Sequence, residues 1–486
     1  MGFGRVRLRV AAVARAAFAA WAAPSSADWQ PAVDLSPVGT PVGVPCETGR
    51  PSVAASRDGS FLVVWQRKFG AQGSDNTLVE ARRIARDGTA GPLLQLTDAP
   101  ANVGTVTSGV GPDGSGIVLW HQQPPGLCGE VPGPILLWAR RVGSDGALGP
   151  VTQGGDPSDK ALLAAVGLHR PGAATVAWVD QIGFEQSVLK VRTLPAAGPP
   201  GPVLSLTPTA GQAEGAPVVV VDQRDRALVV WDEHGQLEAQ RLSPAGDPVG
   251  GIIDVTPSGE TNAEIDAGIA ANGEARVVWS HFEPAPVTVL TRTIAADGTV
   301  GPIAQVAGDD SPAEPRVAVT ASGAAAFAWF TTAPVVAFGR TLGPSGAIGP
   351  AVPLSQTGTG GQMLPTVALA NNGQAVAAWQ RGLGNTGIVE GAAFSAGGAA
   401  GPATQLSQPA ASEAFPDLAG NPKGDAVVAW GQESDGATGM TVQASRFCRH
   451  CRRKPARAAR RLVACGTPAL AAQPRLGRGG YAAGLV

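Results

Sequence analysis

The chain has one tyrosine, three methionines and five cysteines among 486 residues, and only 15% of it is charged. Lysine and glutamate are scarce, which removes two residues that favour helix over strand. Past the N-terminal leader, no apolar run approaches the ~20 residues needed to span a bilayer, so no transmembrane segment is expected. There is no His-Glu-x-x-His and no Asp-x-Asp-x-Asp-Gly loop. No Gly-x-Ser-x-Gly elbow or phosphate loop occurs, although glycine is plentiful. Cys448-Arg-His-Cys451 has zinc-like spacing, but a structural zinc site wants a second ligand pair, and only Cys465 lies nearby. No metal and no cofactor is expected.

The chain is instead rich in turn formers, with 66 glycines and 42 prolines beside 44% apolar residues. This suits many short strands joined by tight turns around a large core. The net charge of −2 conceals an asymmetry. Residues 446–486 hold ten Lys or Arg and no acid, leaving 26 basic against 38 acidic residues in the rest. An acidic body is poorly suited to nucleic acid, where phosphate contacts dominate affinity. The N-terminus carries Arg5, Arg7 and Arg9, an Ala-rich apolar run interrupted by Arg15, and then Ser25-Ser26-Ala27. This is the grammar of a signal peptide over 1–27, with cleavage after Ala27. An unstructured leader is the alternative. The expected location is secreted or extracytoplasmic.

One element returns throughout. Trp65, Trp120, Trp178, Trp231, Trp279, Trp329, Trp379 and Trp430 are spaced 55, 58, 53, 48, 50, 50 and 51 residues apart. A period near fifty indicates a solenoid, a propeller or an array. Each unit repeats one pattern: a short apolar strand (51–56), a turn (57–59), a second strand ending in the Trp (61–66), a variable loop, a third strand (78–85), a second turn (86–92) and a fourth strand (93–97). The turns recur as Asp-Gly or Asn-Gly at Asp58, Asp113, Asn272 and Asn372, and at Asp87, Asp145 and Asp297. Such pairs predict type I′ hairpins, with positive φ at both central residues. Four antiparallel strands per fifty residues is one propeller blade.

Residues 30–39 read as a fourth strand standing alone before the first unit, and the eighth unit lacks its fourth. The expected fold is an all-β, eight-bladed β-propeller of four-stranded antiparallel blades over 28–447, closed by an N-terminal strand. Seven blades plus a distorted unit is the alternative. Residues 448–486 form a basic tail. It reads either as a frameshifted stretch or as a real tail for an anionic wall or membrane surface.

This pattern over residues 30–447 resembles the β-propeller repeats of secreted bacterial proteins, broadly the sialidase-like or Asp-box-like group. The resemblance implies the architecture and not the activity. The sialidase nucleophile is a tyrosine supported by three arginines, and the one tyrosine here is Tyr481, near the C-terminus. The Asp-box Ser-x-Asp-x-Gly-x-x-Trp is also missing: in "SRDGSFLVVW" the Asp-Gly pair is contiguous and the Trp lies too far on.

A residue that returns in every blade is explained by the packing of each blade on the next. The eight tryptophans therefore read as frame. So do Arg83, Arg141, Arg192, Arg241, Arg292 and Arg340 of the third strand, expected to stack on a Trp or to bond turn carbonyls. Function, if local, belongs where the blades differ, in the loop after each Trp on the channel face. The candidate ligand-binding set is Arg67, His121, Asp180, Asp232, Glu233, His234, His281, Glu283, Arg381 and Glu433; no catalytic residue is assigned. Cys46 and Cys128, in loops of neighbouring blades, are a candidate disulfide for an exported chain. The favoured reading is a monomeric, non-enzymatic propeller that binds a protein, a glycan or a cell surface through these loops. The alternatives are a glycan-acting hydrolase or lyase with rim carboxylates or His, and a purely structural scaffold.

Overall fold

The computed structural model describes residues 28–448 except 38–50, 69–76, 124–132, 171, 184–185, 208–212, 309, 358–363, 384–385, 410–414 and 434–439. The leader at 1–27, the Cys46–Cys128 pair and residues 449–486 lie outside the described residues.

The second strand of each unit is a near-continuous run of branched and apolar residues, as in Phe61–Lys68 of blade 1 and Ala227–Glu233 of blade 4. Such a run suits a strand covered on both faces. It is flanked in its own sheet by the first and third strands, and the short fourth strand is the outer edge. Eight such antiparallel sheets form. Each first strand touches the first strands of both neighbouring blades, and the last of these contacts joins Asp417–Gly420 of blade 8 to Ser52–Ala55 of blade 1. The ring is therefore closed, with eight blades and not seven, and the first strands surround the axis.

The N-terminal segment supplies the missing strand. Asp28–Trp29 and Val33–Asp34 pair antiparallel with the third strand of blade 8, Met440–Cys448. The Val442 amide donates to Ser36 Oγ at 2.9 Å. Thr97, Thr207, Thr256, Ser355 and Ser407 accept the same bond in the fourth strands of blades 1, 3, 4, 6 and 7. Trp29 packs edge-on against Phe447 with ring centroids 5.3 Å apart. It also fills space left by Gly391 of blade 7, where a Cβ would lie 2.5 Å from the indole. Cys448, placed in the tail by sequence, ends this strand, buried and disulfide-bonded.

The core is divided among eight apolar clusters, one for each blade interface, and each holds one repeat tryptophan. None of the eight is more than 2% exposed. Burying roughly 200 Å² per tryptophan at about 25 cal/mol per Å² contributes on the order of 5 kcal/mol per interface, before chain entropy.

The turns differ from expectation. In the Asp-Gly turns only the glycine has positive φ, 99° at Gly59 and 82° at Gly114. The Gly59 amide bonds Ser56 O and the Ser56 amide bonds Ser60 O, the pattern of a type I turn followed by one left-handed residue. The aspartate is needed for its side chain: Asp58 Oδ1 accepts the Ser60 amide at 2.7 Å and its hydroxyl at 2.8 Å. A two-residue hairpin with both central residues at positive φ does occur in blade 4, at His234 (56°) and Gly235 (78°).

The repeated arginines also resolve into two registers. Arg140, Arg192 and Arg292 sit two residues before the Trp level. Each donates to a glycine carbonyl after its own strand and to a backbone carbonyl of the preceding blade, such as Leu96 and Gly155. Arg340 makes the same pair of bonds. Arg83, Arg141 and Arg241 sit one residue further on and donate forward, to turn carbonyls of the next blade. Guanidinium donors thus tie each such blade to a neighbour.

Candidate functional site

The antiparallel topology puts the Asp-Gly turns on one face of the ring. On the other face lie the loops between second and third strands and the connections between blades. Each repeat tryptophan ends near this second face, and two positions set its surroundings: the residue two further on, and the residue opposite the Trp on the third strand.

In blades 1 and 7 these positions hold Arg67 with Glu80, and Arg381 with Glu390. Trp65 Nε1 donates to Glu80 at 3.2 Å while Arg67 grips the same carboxylate at 2.5 Å. Trp379 Nε1 donates to Glu390 at 3.1 Å, and Arg381 binds both oxygens, at 2.9 and 2.8 Å. Arg67 and Arg381 thus stand within the frame rather than reaching into a pocket.

Blade 3 carries the reverse charges. Asp180 stands where the arginine would be, and Lys190 lies opposite Trp178. A further carboxylate, Asp159, enters from the connection between blades 2 and 3. Asp156 Oδ1 accepts the Ser158 amide and hydroxyl, and the Asp159 amide closes the turn onto Asp156 O at 3.2 Å. The Ile135 amide from the blade 2 loop then bonds Asp159 O, and Ala161 bonds Ile135 O. So held, Asp159 accepts Trp178 Nε1 at 3.0 Å and Lys190 Nζ at 2.6 Å. Asp180 takes Lys190 Nζ at 2.8 Å and the Lys160 amide at 2.9 Å.

Burial pulls the Lys190 ammonium down, but its hydrogen bonds to Asp159 and Asp180 outweigh this and hold it above its ordinary range. Burial pushes Asp159 up, against the bonds from Lys190 and Trp178. Burial is the larger cause for Asp159, with the neighbouring Asp180 charge adding to it, while the two carboxylates together account for the direction at Lys190. The Lys190 side chain is 19% exposed against 2% for Asp159. It therefore reaches solvent while its partners anchor it.

It reaches into a cleft of about 1070 Å³ between blades 2 and 3. Gln123 and Ile135 line it from blade 2, and Lys160, Leu162, Asp180 and Ile182 from blade 3. Ile182 is 48% exposed.

The other candidates stay in their own blades. His121 is buried, its Nδ1 2.8 Å from Thr105 Oγ1, and burial lowers its pKa to about 4. Asp232 accepts the Gly235 amide at 2.6 Å and so supports the blade 4 hairpin, with Glu233 at its base and His234 exposed at its tip. Across from Trp231 lies Glu238, pushed up by burial and then by Glu233 and Asp254. His281 Nδ1 lies 3.0 Å from Asn262 Oδ1 and 3.6 Å from Glu260. Glu283 is exposed at the end of its strand, and Glu433 ends its strand opposite Met440. Among the described residues no three His, Cys, Asp or Glu side chains are grouped to hold a metal ion, and no helix is long and apolar enough to cross a membrane.

Of the ten candidates, Asp180 is the one that lines the cleft; Asp159 and Lys190 were not singled out from sequence. The signal that could have found Asp159 is the 58-residue gap between Trp120 and Trp178 in which it lies, the longest in the series; Lys190 lies beyond that gap.

No protein-family model and no curated protein matches the chain. Solved structures do match it. The BP39L lectin from Burkholderia pseudomallei is 13% identical with a TM-score of 0.50, over 74% of this chain and 99% of that one. The Dos1 propeller is 8% identical with a TM-score of 0.46, over 86% and 95%. Polysaccharide lyase Uly1 is 7% identical with a TM-score of 0.47, over 87% and 100%. At these identities the likeness is one of fold, and the fold of this chain is an eight-bladed β-propeller.

Proposed function

We propose that the protein is an exported, non-enzymatic β-propeller that binds an extended ligand in the cleft between blades 2 and 3. The observation that carries this reading is the Lys190 ammonium, fixed by Asp159 and Asp180 at the floor of a cavity of about 1070 Å³. Concave sites with a few convergent polar groups on a rigid scaffold are where ligands bind. Lys190 is held protonated, which suits it to donate hydrogen bonds and not to abstract a proton. This favours binding over acid–base chemistry.

Export rests on the leader read in residues 1–27. It receives support from the fold, because cleavage after Ala27 leaves Asp28 first, and Asp28 opens the strand that closes the ring. N-terminal sequencing of the protein recovered outside the cytoplasm should begin Asp-Trp-Gln. A mature chain beginning beyond Trp29 contradicts this assignment.

The binding reading is tested by thermal-shift measurements on the full chain with oligosaccharides, peptides and anionic polymers. A ligand that binds only the folded state raises the midpoint. The expected result is a rise that Ile182→Asp, at the exposed cleft wall, abolishes. A rise that survives this substitution locates the ligand elsewhere and ends the reading.

A further inference from the structure

From the charge balance of the cleft we infer that its ligand is an uncharged oligosaccharide. This inference rests on the cleft being the binding site. Among the described residues the four ionisable groups there are Asp159, Asp180, Lys160 and Lys190, two of each sign. Three of them compensate one another at short range, Lys190 lying 2.6 Å from Asp159 and 2.8 Å from Asp180, and Lys160 lines the same cleft as the second cation. An anionic ligand that reaches the ammonium also meets the two carboxylates behind it. A cationic ligand that approaches the carboxylates meets two lysines. A neutral molecule faces neither penalty, since no uncompensated charge has to be buried.

The hydrogen-bonding groups that remain match hydroxyls. An ammonium has three donors, and the described partners of Lys190 use two. Each carboxylate oxygen of Asp159 and Asp180 takes one donor and has a second lone pair. Gln123 and Gln181 add amides, which both donate and accept. A hydroxyl does both as well, and neighbouring hydroxyls on a ring meet such mixed groups in either direction. The walls supply the rest. Leu162, Ile135 and Ile182 are aliphatic and fit the C–H faces of a sugar ring. An extended peptide adds to an open sheet edge through main-chain bonds. This cleft is bounded by loops and strand ends and offers side chains instead.

The test is calorimetric titration of the purified full chain with three probes: neutral oligosaccharides (hexamers of glucose, mannose and xylose), an oligouronate, and a lysine-rich peptide. The inference expects a neutral hexamer to bind. It also expects affinity to change less than twofold between about 50 and 500 mM salt, because screening acts on charges. Asp180→Asn and Ile182→Asp should each weaken binding at least tenfold. The second change lies at an exposed position, so it decides the matter if the first variant is misfolded. Binding of the oligouronate or the peptide alone, lost with Ile182→Asp, overturns the neutral-saccharide inference and leaves the cleft as the site. Binding that survives Ile182→Asp, or no binding by any probe, overturns both.

Discussion

In blades 1 and 7 the buried tryptophan donates to a glutamate that an arginine grips from two residues beyond the Trp. In blade 3 a lysine faces the tryptophan, and two aspartates grip the lysine. The guanidinium is a planar fork that, together with the Trp N–H, engages both oxygens of one carboxylate, so the first arrangement closes on itself. The ammonium is a compact cation with three donors, and two carboxylates fix it without exhausting it. The first design finishes a blade, whereas the second finishes a blade and leaves a donor facing a cleft. The difference shows how one position can close on itself in one repeat and face a cleft in another, with the tryptophan unchanged.

Four experiments press on this comparison. The largest effect is expected for the shared element. Trp65→Ala, Trp178→Ala and Trp379→Ala should each cost about 3–5 kcal/mol in denaturant unfolding. A much smaller loss for Trp178 would show that blade 3 has given up the frame role. Next, Glu390→Ala strands Arg381 and the Trp379 N–H, at a cost of about 2–3 kcal/mol. Asp159→Ala should cost about 1–2 kcal/mol, because Asp180 still holds Lys190. Equal losses would remove the distinction between a closed and a shared ion pair.

A charge exchange is the third experiment. Asp180→Arg and Lys190→Glu should each destabilise by roughly 1–3 kcal/mol, and the pair together should recover most of that loss while abolishing ligand binding. Non-recovery would mean that blade 3 cannot adopt the arrangement of blades 1 and 7.

The smallest effect is a pH dependence that separates two classes of aspartate. Asp113 is held below the usual carboxylate range by the Ser115 hydroxyl, against burial and with the Ser115 amide. Its contribution is present above an unfolded pKa of about 3.9 and is lost as pH falls through the folded value. Asp266 and Asp417 lie on the innermost strands and accept the Val317 and Val53 amides of the next blades at 2.8 and 2.7 Å. Both are half-buried, and the strands crowded around them strip enough water that desolvation pushes both up. Their ionised forms therefore cost stability, and that cost sets in as pH rises through the folded values. Relative to the parent, Asp113→Asn should lose more at about pH 8 than at pH 3, and Asp266→Asn less at about pH 8 than at pH 4. Unfolding midpoints across pH decide this; parallel profiles would erase the distinction.

The architecture was legible because packing repeats. The eight tryptophans, the glycine-closed turns and the lone strand expected at residues 30–39 each mark something every blade needs, and the structure places the tryptophans in the eight clusters and the closing strand at Asp28–Trp29 and Val33–Asp34. The turn type was misread because Asp58 works through its side chain and not its φ. The arginines were merged because a shift of one residue between Arg82 and Arg83 changes the face, hence the neighbouring blade, and only the cross-strand register shows it. The cleft was legible at one residue. Asp180 stands two residues past the tryptophan, but Lys190 faces Trp178 only across the strand pair, and Asp159 arrives from a connection between blades, outside the repeating strands.

The clasp between the first and last strands has a consequence for biosynthesis. Its bonds join residues 406, 409 and 415 apart in sequence. Closing a loop of that length in one step costs on the order of 5 kcal/mol in chain entropy. Zipping up the blades in order shortens the gap as each one docks. The segment 28–36 is made before every blade and used last. Until Met440–Cys448 is available it has no partner, and the growing chain carries an unpaired sheet edge at each end. An export route that delivers the chain unfolded and N-terminus first would keep those two edges apart until synthesis is complete, and would leave the joining of beginning to end as the last event in folding.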